Sequence, residues 1–301
     1  MKQLLYACLF LLVPALASSQ YVTRKIMPYV YGTTAGKEGQ VEAGPEFSWM
    51  NTIKGTAFSI RPAVRMPMTE TRENNLKVDR FSPVWKAVLA AQYGHRNTWE
   101  CTTIRGLSVG VQAEYGMTDY KYYPTGSVNS LTKESLSSYS VEVKIIGFFT
   151  KKEVGSRQYS PQFRLRYSRN ANASDPIGIV NPVDAMGLTT TSMLVMNKPF
   201  TTSIISPALA LHIYPGRGNF TYSPSIYYDL VGSGSTNLNP SYGRVRLEYG
   251  VNFYPLIKEQ YINFGISPFV SLRTNGTDNF KNVEYGGQIT IRFGTAFLQG
   301  F

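Results

Sequence analysis

Tyr242-Gly-Arg-Val-Arg-Leu-Glu-Tyr-Gly-Val-Asn-Phe-Tyr254 alternates without a break. One parity carries Val245, Leu247, Tyr249, Val251 and Phe253; the other carries Arg244, Arg246, Glu248, Gly250 and Asn252. Successive side chains of a strand point to opposite sides, so this period of two specifies a strand with one apolar and one polar face.

The pattern recurs along the chain. Residues 55–66 set Phe58, Ile60, Val64 and Met66 against Ser59, Arg61, Ala63 and Arg65. Residues 139–149 set Tyr139, Val141, Val143 and Ile145 against Ser140, Glu142 and Lys144. Residues 162–168 set Phe163, Leu165 and Tyr167 against Gln162, Arg164, Arg166 and Ser168. Residues 261–273 repeat the alternation with Ile262, Phe264, Ile266, Val270 and Leu272 on the apolar side. Further strands are predicted near 41–51, 83–96, 103–116, 201–215, 219–232 and 282–294.

Strand length then selects the solvent. Strands of soluble proteins average about 5–6 residues, whereas a tilted strand crossing a bilayer needs about 9–11. Most of these segments are of the longer kind. The connections alternate between short (52–54, 97–102, 152–160, 216–218, 257–260) and long (69–82, 117–137, 170–200, 233–241, 275–281). Transmembrane barrels show this asymmetry, with tight periplasmic turns and longer external loops. If the short turns are periplasmic, a strand must precede 41–51, and 21–31 is the candidate although Pro28 interrupts it. The expected fold is all-β, a closed antiparallel transmembrane barrel of twelve strands. Ten and fourteen are the alternatives, because the 170–200 loop holds the apolar patch Met193, Leu194, Val195, Met196.

The chain resembles the small outer-membrane β-barrel proteins of Gram-negative bacteria. Its last strand, 284–293, is similar to the C-terminal assembly signal of that class: Gly286 is followed by Ile289, Ile291 and Phe293, and the chain ends in Phe301. The resemblance implies that the barrel-insertion machinery recognises this segment, and that outer-membrane lipid surrounds the protein.

The N-terminus reads separately. Lys2, an apolar run from Leu4 to Val13, and then Ala15-Leu16-Ala17 have the layout of a secretory signal peptide. The run is too short to span a bilayer as a helix. Cys8 lies inside the run, which argues against a lipid-modified N-terminus. The expected division is therefore a leader over 1–19 and a barrel domain over 20–301, exported to the outer membrane. Cleavage after Ala17 and after Ser19 both fit.

Removing Lys2 from the net charge of +11 leaves +10. Charged residues make up 16% of the chain, against about 25% for an average protein, so dense nucleic-acid-binding clusters are absent and no nucleic-acid partner is expected. Only Cys101 survives cleavage, so no intrachain disulfide forms, and no Cys/His spacing suggests a metal or cofactor.

If the apolar parity faces lipid, the polar parity lines a lumen. A charge facing mid-bilayer lipid costs about 2–4 kcal/mol for Arg or Lys, so charges gather inside. The basic candidates are Arg61, Arg65, Lys86, Lys144, Arg164, Arg166, Arg244, Arg246, Arg273 and Arg292. The acidic ones are Glu42, Glu46, Glu114, Glu142, Asp229, Glu248 and Glu284. Two readings follow. An excess of Arg could line a passive pore favouring small anionic solutes. Alternatively, Arg and Glu of neighbouring strands pair and fill the interior of a non-conducting barrel that serves adhesion, envelope integrity or docking of a secretion partner. Twelve strands lie between a filled barrel and an aqueous channel and leave both readings open.

No enzyme is expected. His95 and His212 are the two histidines, and neither has a Ser or carboxylate at a spacing that sets a nucleophile beside a base on one face. The aromatics near strand ends (Trp49, Trp85, Tyr93, Tyr115, Tyr228, Tyr254) suit interfacial girdles. Tyr120, Tyr122 and Tyr123 are expected in a long loop. N-terminal sequencing of the exported protein is expected to begin at Ser18 or Gln20, and a start at Met1 would overturn the leader assignment.

Overall fold

The structure, a computed structural model, describes residues 22–35, 38–51, 54–67, 85–96, 104–123, 131–150, 157–172, 177–180, 191–195, 198–215, 220–233, 242–253, 256–257, 260–273 and 283–294. The leader assigned to 1–19, Cys101 and Phe301 lie outside them. The strands are β1 (Val22–Ala35), β2 (Glu38–Asn51), β3 (Thr56–Pro67), β4 (Lys86–Arg96), β5 (Ile104–Tyr122), β6 (Thr132–Thr150), β7 (Gln158–Asn172), β8 (Ile177–Val180), β9 (Thr191–Val195), β10 (Phe200–Tyr214), β11 (Phe220–Ser233), β12 (Tyr242–Phe253), β13 (Leu256–Ile257), β14 (Gln260–Arg273) and β15 (Val283–Gly294). All but the short β8, β9 and β13 coincide with a strand expected from the sequence, including β1, expected from the topology, which runs straight through Pro28. No helix occurs among the described residues.

The twelve long strands pair antiparallel with their sequence neighbours, β7 with β10 and β12 with β14 across the short strands. β4 also pairs with β5, and β1 pairs with β15 from Val30–Phe293 to Ala35–Gln288, so the pairing path returns to its start. Burial divides the strands by parity. Leu209 is 58% exposed and Leu247 53%, whereas Glu42 is 1% and Ser140 2% exposed. The protein is thus apolar outside and polar inside, the reverse of a water-soluble core.

The 117–137 segment departs from its expected loop. β5 continues to Tyr122 and β6 begins at Thr132, each strand spanning 19 residues. The alternation changes sense there: Tyr120 and Tyr122 occupy the inward parity that carries polar groups lower down, which hides the strand from a pattern search. β4 ends its pairing at Lys86–Gly116, and above it β9 occupies the vacated edge of β5 in parallel register, Tyr120–Met193 to Tyr122–Val195. Tyr120 and Tyr122 bury against Ala171 and Leu136. Glu134, the register partner of Tyr120, meets Lys198, just before β10, at 3.8 Å. On the opposite face Lys133 pairs with Asp119 at 2.9 Å. Hydrogen bonds from Ser135 and Lys133 hold the Asp119 carboxyl below its usual range.

Prolines mark where the wall is thin in hydrogen bonds. The β2–β3 ladder is interrupted between Ala43–Val64 and Phe47–Ile60, a stretch containing Pro45 and Pro62. The β6–β7 gap contains Pro161, and the β12–β14 gap contains Pro268. β10–β11 has two gaps, one at Pro207 and one at Pro224. Proline has no N–H to donate to the ladder, yet the register is the same on both sides of each gap. Glycine matters where strands crowd: a Cβ on Gly44 would lie 2.1 Å from the Pro62 carbonyl oxygen and 2.7 Å from Ala63 Cα, whereas Gly32 has nothing within 4 Å. Overpacking of a tight contact typically destabilises by about 1–3 kcal/mol. Gly44→Val should therefore lower the urea midpoint of the protein by at least that equivalent, while Gly32→Ala leaves it nearly unchanged.

Candidate functional site: the interior charge network

The inward parity of β2, β3, β5 and β7 carries one connected set of charges. Arg65 Nη2 donates to Glu42 Oε2 at 2.6 Å, and its Nη1 lies 2.7 Å from Glu114 Oε1. The other Glu114 oxygen meets Arg166 Nη2 at 3.2 Å, and Gln112 Nε2 donates to Glu114 at 2.9 Å. Arg61 reaches Glu42 at 3.4 Å and stacks over the Tyr29 ring at 3.9 Å. These bonds skip strands: Arg65 on β3 reaches β5 past β4, and Arg166 on β7 reaches β5 past β6. The chain of contacts therefore spans from β2 to β7 along one arc of the inner face, bridging over β4 and β6.

The facing arc is built from β7, β11, β12 and β14. Arg244 pairs with Asp229, its register partner across β11–β12. Arg246 donates to Glu248 at 2.9 Å and stacks over Phe269 at 4.0 Å. Arg164 donates to the Tyr227 hydroxyl across β10. Its hydrogen bond thus goes to a phenol, where its neighbours use carboxylates. Lys144, Glu46 and Glu142 line the same interior space, a cavity of about 510 Å³. Arg61, Arg65, Arg164, Arg166 and Arg246 also face it, so the cavity wall carries six cations and five carboxylates. The structure thereby brings together most of the lumen charges read from parity; Lys86 and Asp229 are buried but are not on this cavity wall, and the side chains of Arg273, Glu284 and Arg292 lie outside the described residues. Arg244 sits beyond the cavity, in its own pair.

Two features escaped the sequence reading. Tyr29 and Tyr227 are inward aromatics that serve as cation platforms. His212 Nδ1 lies 2.7 Å from Ser223 Oγ, with Asn252 Nδ2 3.4 Å from the same hydroxyl. The serine beside His212 sits on the next strand, where spacing along one strand does not show it. A signal existed, since in a hairpin centred between residues 217 and 218 positions 212 and 223 stand opposite each other. Among the described residues no group of three or more His, Cys, Asp or Glu is placed to hold a metal.

The C-terminal strand residues fall as follows. Gly286 faces Phe269 across β14–β15, and a Cβ there would come within 2.9 Å of that ring. Glycine at this position lets Phe269 lie flat between β15 and the Arg246 guanidinium. Ile289 points outward and is 42% exposed. Ile291 and Phe293 pair with Gly32 and Val30 in the ladder to β1, and their side chains lie outside the described residues.

No family model and no curated protein matches the chain. Among solved structures it is similar to the beta domain of the Bordetella autotransporter Brka, with a TM-score of 0.41 and 11% identity over 88% of this chain and 97% of that one. The translocator domain of autotransporter NalP from Neisseria meningitidis gives 0.35 and 10% over 98% and 95%. Outer-membrane expressed OmpT of Vibrio cholerae gives 0.33 and 9% over 92% and 98%. All three are outer-membrane β-barrel domains of Gram-negative bacteria, the class that the sequence resembles. None reaches a TM-score of 0.5, and the functional reading below rests on the chain's own geometry.

Breaking a buried ion pair by removing one partner typically costs about 3–5 kcal/mol, because the other charge is stranded. Exposed pairs contribute about 0–1 kcal/mol. Glu114→Gln is therefore expected to shift the urea unfolding midpoint strongly and Asp119→Asn hardly at all, both followed by intrinsic tryptophan fluorescence.

Proposed function

We propose that this chain is a closed, twelve-stranded transmembrane barrel of the outer membrane whose interior is shut to free ion flow by its own ion pairs. On this reading it is a non-conducting barrel that displays its β5–β6 extension at the surface and serves adhesion, envelope integrity or docking. The observation that carries the reading is the strand-skipping chain Glu42–Arg65–Glu114–Arg166, at one level with the Arg244–Asp229 pair. Charges that neutralise one another within a narrow interior leave neither a wide aqueous path nor a strong field for a permeating ion.

Membrane insertion is supported by the outward parity. The exposed leucines, valines and isoleucines of β5, β7, β10 and β12 would expose a continuous apolar surface to water, far beyond what a soluble monomer tolerates. Hydrocarbon also demands that every backbone group be paired internally, which a pairing path that returns to its start provides.

An anion-preferring pore is the second reading. The near balance of cations and carboxylates on the cavity wall weakens it, and the phenol-bonded Arg164 favours it. Planar-bilayer recordings of the purified protein separate the two. Insertion without current steps is expected, together with appearance of steps in the Glu42→Ala/Glu114→Ala double variant if it folds. Steady anion-selective steps in the unaltered protein, weakened by replacing Arg164, Arg166 and Arg246 with Ser, would establish the pore instead.

A further inference from the structure

The ladder between β10 and β11 is the most interrupted in the ring. Its gaps fall between Ile205–Leu230 and Ala208–Tyr227, and between Ala210–Ser225 and Ile213–Tyr222. Pro207 sits in the first and Pro224 in the second, and both strands keep unbroken register toward their other neighbours, β7 and β12. The missing donors are therefore those that would have crossed this one seam. What spans the lower gap on the inside is a side-chain bond, His212 to Ser223 at 2.7 Å.

Hollows lie on both sides of the same seam. Inside is the polar cavity of about 510 Å³, and Ala210 and Ser225 are on its wall. Outside is an apolar furrow of about 970 Å³, where Gly147, Pro161, Pro224 and Pro268 leave a depression among larger side chains. Ala210 and Ser225 line that furrow too. These two residues are register partners, and their neighbours at the same level on β7 and β12, Gln162 and Glu248, line both hollows too, so the partition between lumen and membrane here is one row of four residues whose middle pair is small and borders the lower proline gap. Two pairs further up, Ala208 lies between Arg164 and Tyr227, its register partners on either side, and Arg164 is the arginine bonded to a phenol.

We infer that the β10–β11 seam is a lateral binding site for a long-chain carboxylate, with the alkyl chain in the outer furrow and the carboxylate turned inward to Arg164. The apolar furrow suits the chain, and the inward cation suits the head. A seam short of hydrogen bonds lets the two be joined through the wall. The inference rests on the barrel reading given above.

The test uses membranes containing the full chain and a palmitate analogue with a photoreactive diazirine on its tail. Cross-linked peptides are expected to concentrate on 209–211 and 224–226, and a tenfold excess of palmitate should remove most of the label. An Ala210→Cys/Ser225→Cys variant should lose the label at least fivefold when oxidised and regain it on reduction. That reversal separates a closed seam from misfolding. Arg164→Gln should weaken labelling by the acid several-fold and leave labelling by the matching long-chain alcohol unchanged. Label spread evenly round the outer wall, or indifferent to the disulfide, would overturn the site while leaving the barrel standing. Extraction of the chain from the same membranes by alkaline carbonate would show instead that the barrel reading itself is wrong, and the site would fall with it.

Discussion

The pairing of β1 with β15 is the constraint on which the rest of the structure depends. It joins the first strand to the last, from Val30–Phe293 to Ala35–Gln288, across nearly the whole sequence. With it in place no long strand keeps an open edge, and the two parities of every strand meet different surroundings. Without it the outward leucines and the inward arginines would share one solvent, and neither set would be stable there. Such a contact also carries the greatest loop-closure entropy in the chain, so it cannot form early or alone. Local hairpins such as β2–β3 and β10–β11, whose strands are separated by few residues, are the natural first units.

Burial on the inward parity then decides how these charges behave. Arginine and glutamate on the inward parity cannot reach bulk water as surface residues do, and each needs a partner within the ring. Glu114 finds three, Arg65, Arg166 and Gln112, from both sides of its own strand. Buried ion pairs of this kind contribute little net stability compared with apolar packing, yet removing one member strands the others. Their effect is to make one arrangement of the interior much better than its neighbours. The aromatic platforms act the same way: Tyr29 under Arg61, and Phe269 between Gly286 and Arg246, hold guanidinium groups in fixed orientations.

The prolines show a compromise in the wall. In the centre of a soluble sheet they would be excluded. Here Pro28, Pro45, Pro62, Pro161, Pro207, Pro224 and Pro268 all stand on the outward parity. Neighbouring pairs keep the register on either side of each gap, so the strands stay aligned while losing donors locally. The loss is concentrated at β10–β11, where the two gaps bracket three pairs, the lowest of them the small residues Ala210 and Ser225.

The alternation of apolar and polar residues determined by itself eleven of the twelve long strands, their two faces and the inward placement of Arg61, Arg65, Lys144, Arg164, Arg166, Arg244 and Arg246. That much is local, because a period of two is a property of the strand's own backbone. Even β1, with a proline in its middle, was legible from the topology that the other strands required. Which charge meets which was decided only by the tertiary structure. Arg65 reaches Glu114 past an intervening strand, and Arg164 finds Tyr227 in the same way, because the ring curves and brings non-adjacent strands within reach of a long side chain. The extension of β5 and β6 was hidden for a related reason. Tyr120 and Tyr122 turn inward against Ala171 and Leu136, and an apolar residue on a polar parity has meaning only once its covering partner is in place.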